Sequence, residues 1–257
     1  MKTLFLATAA VAAFAAAPAL AQTAPTGSVG VTWNNVEAKT DGGKFEADGY
    51  SVDGVVAGPL TGEWTVTLGV QGAWTDGDFD HSKTFSGEAH VTRTLADDMR
   101  VGGFIGAADA GKSSTLWTFG AEMQKYFDKA TITAALTYGT VSNIDGDIWS
   151  GGVDAGYYVM PNLRVNGSVA LSKVNLGQND IDAYSYGAGA EYQINNSPMS
   201  VYGSWDRTTL DFVDVDVDTL SVGLRFNFGG DLQQRDRAGA NLTRTVVSPT
   251  GIFALGL

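Results

Sequence analysis

Ser221-Val222-Gly223-Leu224-Arg225-Phe226-Asn227-Phe228 is the stretch whose reading decides the fold. Val222, Leu224, Phe226 and Phe228, with Leu220 before them, share one parity, and Ser221, Gly223, Arg225 and Asn227 share the other. Successive side chains of a β-strand point to opposite faces, so this is a strand with one apolar and one polar face. Its spacing is polar-x-Gly-x-x-aromatic-x-aromatic. Any antiparallel strand with two Phe can carry that spacing, so the rest of the chain must supply the context.

Working back from it, the same alternation recurs. Trp64, Val66, Leu68, Val70 and Trp74 stand against Glu63, Thr65, Thr67 and Gln71. Trp117, Phe119, Ala121 and Met123 stand against Thr118, Glu122 and Gln124. Leu163, Val165, Val169 and Leu171 stand against Arg164, Asn166, Ser168 and Ser172. The pattern predicts twelve strands of roughly 10–14 residues joined in order by hairpins. Strands of soluble sandwiches run to about 5–6 residues, whereas a strand crossing a lipid bilayer needs about 9–11.

Two regularities go further. The connections alternate between short ones (Gly58–Leu60, Ala96–Asp98, Asp128–Lys129, Met160–Asn162, Asn195–Ser197) and longer ones beginning at Asp41, Asp76, Asp109, Ser142, Asn175 and Asp211. The aromatic residues also sort by end. Trp33, Trp74, Trp117, Trp149 and Trp205 lie beside the longer loops, and Trp64, Phe127, Tyr157, Tyr192, Phe226 and Phe228 beside the short turns. All sit on the apolar parity, forming two girdles with aliphatic and small residues between them. Amphipathic rings favour the membrane interface.

The N-terminus reads Met1-Lys2-Thr3, an apolar run to Leu20, and a small-residue site ending at Ala21. This predicts a secretory signal peptide over residues 1–21, with cleavage after Ala21. The chain has no cysteine, so no disulfide framework is possible. A formal charge of −12 argues against nucleic acid as a partner. With 33 Gly and only 6 Pro, the composition fits many strands and tight turns.

Over Gly27–Phe228 the chain resembles bacterial outer-membrane β-barrels of porin type. The resemblance rests on the architecture and on the closing strand, where Ser221, Gly223, Phe226 and Phe228 match the signal that the family's insertion machinery reads. It implies an all-β fold: a closed antiparallel up-and-down transmembrane barrel of about twelve strands over residues 22–228. It also implies an outer-membrane location, contact with outer-membrane lipid and lipopolysaccharide, and delivery by the barrel-assembly machinery. The implied function is a porin-like channel for passive diffusion of small solutes or ions, with a cation bias. The alternative is a non-conducting structural barrel acting through its loops or tail. No enzymatic activity, cofactor or metal is implied, and oligomeric state stays open. Family members usually end at the closing aromatic, but here residues 229–257 continue as a periplasmic C-terminal extension. Its polar part runs Asp231–Asn241 and its apolar part Ile252–Leu255; for the apolar part the alternatives are docking in the lumen from below, contact with another protein, and disorder, which is the default for a terminus.

Polar-parity positions should face the lumen: Glu63, Glu88, Arg100, Glu122, Asp154, Arg164, Glu191, Asp206 and Arg225. Asp76, Asp78, Asp80, Asp145, Asp147, Asp211, Asp214 and Asp216 fall in the outer loops and predict an acidic outer mouth. Solvation and turn chemistry account for such aspartates equally well. Gly106–Ser113 matches the phosphate-cradling loop formally, but that loop needs a helix after it, and Leu116–Phe127 alternates as a strand. Ser86 and His90 share a face with Glu88. Four residues along a strand span about 13 Å, too far for a nucleophile–base hydrogen bond. His81 has no companion histidine for a metal.

Overall fold

The computed structural model describes residues 24–244, apart from 41, 78–80, 97, 110–113, 144–145, 177–178 and 212–214. The signal peptide expected at residues 1–21 and the apolar tail expected at 252–255 lie outside the described residues. Twelve strands follow one another: β1 (Thr26–Thr40), β2 (Gly43–Thr61), β3 (Trp64–Gly77), β4 (His81–Ala96), β5 (Met99–Asp109), β6 (Thr115–Tyr126), β7 (Ala130–Val141), β8 (Asp147–Met160), β9 (Leu163–Leu176), β10 (Asn179–Gln193), β11 (Met199–Leu210) and β12 (Val215–Phe228). Each pairs antiparallel with its neighbours, and β1 pairs with β12 from Gly27↔Phe228 to Lys39↔Asp216. The sheet therefore closes into a barrel without an edge.

The outward face is apolar. Leu171, Leu136 and Val169 are 71%, 69% and 59% exposed, and the five tryptophans of the outer girdle are exposed as well. An apolar belt that encircles the whole barrel is stable only against lipid. The inward face carries many small residues. A Cβ at Gly120 would lie 2.1 Å from the Phe104 ring, so the ring occupies the space that Gly120 leaves. Phe104, Ala135 and Ala170 form one buried inner cluster.

Strands run further than the sequence pattern indicates. The longer connections shrink, because polar residues above the membrane continue the ladder. Asp76, Asp147 and Asp216, expected in loops, lie on β3, β8 and β12. Cross-strand hydrogen bonds explain this: Thr209 Oγ1 donates to Asp216 at 2.6 Å, and Asn175 Nδ2 donates to Asp147. Gly58-Pro59-Leu60, expected as a turn, belongs to β2. The reversal comes at Gly62 (φ 54°) and Glu63, and the missing N–H of Pro59 falls beside a register shift.

Gly120→Ala should cost about 1–3 kcal/mol by overpacking against Phe104. In a Phe104→Ala background the loss should be smaller, because the clashing ring is gone. Urea midpoints of the refolded barrel check this, and an unchanged midpoint for Gly120→Ala alone would remove the inner seat of Phe104.

Candidate functional site

The functional surface of a closed barrel is its lumen, and the C-terminal segment folds into it. Gly229 and Gly230 have φ of 80° and 132°, and a Cβ at Gly229 would lie 2.7 Å from the Pro25 carbonyl oxygen. Two glycines thus turn the chain sharply off the end of β12. Helix α1 (Leu232–Arg237) starts at once, with Asp231 as N-cap: its Oδ1 accepts from the Gln234 amide at 2.8 Å, and Gln234 Oε1 accepts from the Asp231 amide at 3.1 Å. This reciprocal capping box lets so short a helix form. Gly239 (φ 92°) ends it, with the Gly239 amide on the Asp236 carbonyl and the Ala240 amide on the Arg235 carbonyl, a Schellman closure. A 3₁₀ turn follows at Leu242–Arg244.

The segment enters at the short-turn end. The Gln233 amide donates to the Pro161 carbonyl, and Arg237 Nη2 donates to the carbonyls of Phe127 and Asp128 at 2.6 and 2.9 Å. Inside, Tyr158 Oη donates to Asp236 Oδ2 at 2.7 Å, and Arg100 Nη2 donates to the Arg237 carbonyl at 2.9 Å. Thr67 Oγ1 donates to the Gly239 carbonyl at 3.2 Å. Ala240 packs on Val55 and Ala57, and Leu232, Ala240 and Leu242 are buried. Arg235 Nη1 donates to Asn227 Oδ1, and Arg244 Nη2 donates to Ser28 Oγ at 2.6 Å and Asp53 Oδ2 at 3.0 Å. Residues 229–244 are therefore a plug, not a disordered tail.

Most charges of the inward parity make polar contacts at low exposure. Arg225 pairs with Glu191 at 2.6 Å and lies over the Tyr202 ring at 3.5 Å; Arg164 pairs with Asp154 at 2.6 Å. Arg100 is buried on Tyr126 Oη and Thr92 Oγ1, each at 3.0 Å. Glu122 accepts from His90 Nδ1 at 2.9 Å, Glu88 Oε2 lies 3.5 Å from His90 Nε2, and Phe104 stacks on the imidazole. Asp206 sits over Gly187, where a Cβ would lie 2.0 Å from its Oδ1. Glu63 is the exception. It occupies the β2–β3 turn, 60% exposed, and pairs with Arg93 at 2.8 Å, because the strand ends before its inward position is reached. Among the outer aspartates, Asp78, Asp80, Asp145 and Asp214 lie outside the described residues; Asp211 is exposed in a turn. The inner surface at that end is aliphatic, with Leu116, Ile148 and Val174 buried and Val141 and Ile181 against them.

Sequence reasoning missed Asp53, Tyr158, Arg235, Asp236 and Arg244 as lumen residues, whereas His90 already shared the inward parity with Glu88. Asp231-x-x-Gln234 and Gly239 were readable as helix start and stop signals. With them the wall's charge balance becomes clear. Among the described residues it carries Asp53, Glu88, Glu122, Asp154, Glu191 and Asp206 against Arg100, Arg164, Arg225 and His90. The plug brings Arg235 and Arg244 to this acidic wall. Burial, then the guanidiniums of Arg244 and Arg225, bring Arg235 down to about 10, so it stays cationic at neutral pH.

Tyr158→Phe should leave the Asp236 carboxylate buried without its donor, at about 1–3 kcal/mol. Tryptic cleavage at Arg235 of the full-length protein should then speed up about 5–150-fold. An unchanged rate would remove Asp236 as an anchor of the plug.

No family model matches the chain, and no curated protein matches it in sequence. Solved structures do match in fold. The translocator domain of the autotransporter NalP from Neisseria meningitidis is 12% identical with a TM-score of 0.56, over 88% of this chain and 98% of that one. The NanC porin is 10% identical with a TM-score of 0.57, over 77% and 100%. CymD, a monoaromatic hydrocarbon channel, is 11% identical with a TM-score of 0.54, over 79% and 88%. At such identities the likeness is one of fold: the chain is a twelve-stranded β-barrel of outer-membrane type.

Proposed function

We propose that the protein is an outer-membrane channel for small solutes or ions, closed at rest by its own C-terminal segment and favouring cations when open. The observation that carries this reading is the seat of residues 229–244 in an acid-rich lumen. A channel must offer a polar path, and the inner wall is lined by Ser, Thr, Asn and charged groups around the plug. Removing Arg235 and Arg244 from that wall leaves carboxylates in excess, which raises local cation concentration. The apolar belt and girdles support residence in outer-membrane lipid with lipopolysaccharide above it. The closing strand at Ser221, Gly223, Phe226 and Phe228 supports delivery by the barrel-assembly machinery. Catalysis is no part of this reading, and His90 between Glu88 and Glu122 acts as a wall charge.

A second reading, a non-conducting structural barrel, is favoured by one feature. Thr67, Thr118 and Ser200 on the inner wall are all 0% exposed, and aliphatic residues fill the inner face at the outer end.

Planar-bilayer recordings separate the two. Arg235→Glu with Arg244→Glu in the full-length chain places like charges against Asp53 and Glu191, at about 3–5 kcal/mol. Wild-type protein should be mostly silent. The double variant should open at least about tenfold more often, since about 1.4 kcal/mol already gives that factor, with a cation-selective reversal potential under a salt gradient. A chain truncated after Phe228, provided it remains heat-modifiable, should conduct continuously. Folded variants that give no steps would reject the channel in favour of the structural barrel.

A further inference from the structure

We propose that the lumen wall around Asp53 is a binding subsite for guanidinium- or amine-bearing solutes, and that Arg244 and Arg235 occupy it at rest as internal stand-ins. The proposal rests on the plugged-channel reading and names a solute class for it.

Where these two arginines sit the wall offers them acceptors, and the wall cation close by, Arg225, is already paired with Glu191. Arg244 takes Ser28 Oγ on β1 and Asp53 Oδ2 on β2, and Arg235 takes Asn227 Oδ1 on β12. Asn227 is oriented for this role: its Nδ2 donates to Ser200 Oγ at 2.9 Å, and that hydroxyl donates to Glu191 Oε1 at 2.6 Å. The chain of hydrogen bonds turns the amide oxygen toward Arg235. Gly30 lies between Asp53 and Arg225 in register, and a Cβ there would fall 2.6 Å from Asp53 Oδ1. The glycine keeps room for the carboxylate. Asp53, Ser28 and Asn227 thus form a fixed, donor-hungry surface in a wall whose carboxylates outnumber its arginines. Such a surface recognises a planar multi-donor cation.

The plug arginines leave some of their own donors unsatisfied at the subsite. Among the described residues, Arg235 Nε and Arg244 Nη1 are buried without a hydrogen-bond partner. A free guanidinium, with no helix to constrain it, can direct all its donors at acceptors. It therefore competes with the plug on favourable terms, and a solute of this class displaces the closure that blocks its own path.

The chain has no cysteine, so one thiol reports on the plug. Thr243→Cys replaces a hydroxyl by a thiol and removes one methyl, at a position 7% exposed whose hydroxyl has no partner among the described residues. In full-length protein refolded into lipid vesicles, free arginine or agmatine should speed maleimide labelling at position 243 at least about fivefold over sodium chloride at equal ionic strength. Asp53→Asn should raise the basal rate and abolish the response, while Asp53→Glu should keep it; heat-modifiable migration confirms that both are folded. Equal acceleration by sodium chloride would reduce the effect to charge screening and overturn the subsite. So would the absence of any acceleration, or a response that survives Asp53→Asn. If the Arg235→Glu, Arg244→Glu protein conducts while arginine leaves labelling unchanged, the subsite fails and the channel stands. If that protein is silent while arginine speeds labelling, the subsite stands and the channel fails.

Discussion

A sheet in lipid cannot leave an edge. Each unpaired N–H or C=O in hydrocarbon costs several kcal/mol, so a spanning sheet must close. Here the closure is the ladder between β1 and β12, thirteen register pairs from Gly27↔Phe228 to Lys39↔Asp216. Thr26 Oγ1 adds a bond to the Phe228 carbonyl at its end. The alternation of every strand follows from it. With the sheet closed, one parity meets lipid and the other meets the lumen, and a slip of one residue would exchange the two faces.

Closure at twelve strands creates a second constraint. An eight-stranded barrel is just filled by its own side chains, and twelve strands enclose more. Many inward positions are small, including Gly30, Gly69, Gly120, Ala135 and Ala170. Such a lumen has to hold water or other chain. The half at the short-turn end holds the plug, and the fit is local: a Cβ at Gly69 would lie 2.7 Å from Thr243 Cγ2. The outer half is lined by Leu116, Ile148 and Val174 instead. The two halves therefore differ in chemistry, hydrogen bonds and ion pairs below, aliphatic contact above.

How much of this could be read from the chain depends on the range of the cause. Parity is local, and it placed Glu88, Arg100, Glu122, Asp154, Arg164, Glu191, Asp206 and Arg225 on the inward face. Turn positions are set by where two strands stop pairing, so Glu63 landed in a turn, and Asp76, Asp147 and Asp216 landed on strands. The helix at Leu232–Arg237 announces itself by Asp231, Gln234 and Gly239, all within one short segment. Its seat does not. Arg244 meets Asp53 across 191 residues and Ser28 across 216, and nothing in either stretch marks the other. Asp53 lies on a strand whose alternation is blurred by Gly and Val on both faces, so its inward position carried no clear signal.

The chemistry of the plug bears on what it is for. Buried ion pairs add little to stability, because desolvation offsets most of the attraction, and apolar residues of similar volume often do better. A filler meant to stay would gain from Leu or Phe at positions 235 and 244. Arginine there instead gives a seat that is specific, since breaking one partner leaves a buried charge, and yet replaceable by any cation that satisfies the same acceptors. The exchange of bonds runs both ways: wall arginine Arg100 holds the plug backbone, and plug arginines Arg235 and Arg244 hold the wall. Apolar burial stands beside them: Ala240 packs against Val55 and Ala57, and Leu232 and Leu242 are buried. On the proposed reading, a closure held by exchangeable polar bonds beside these buried side chains leaves the lumen without disturbing the β1–β12 ladder that defines the barrel.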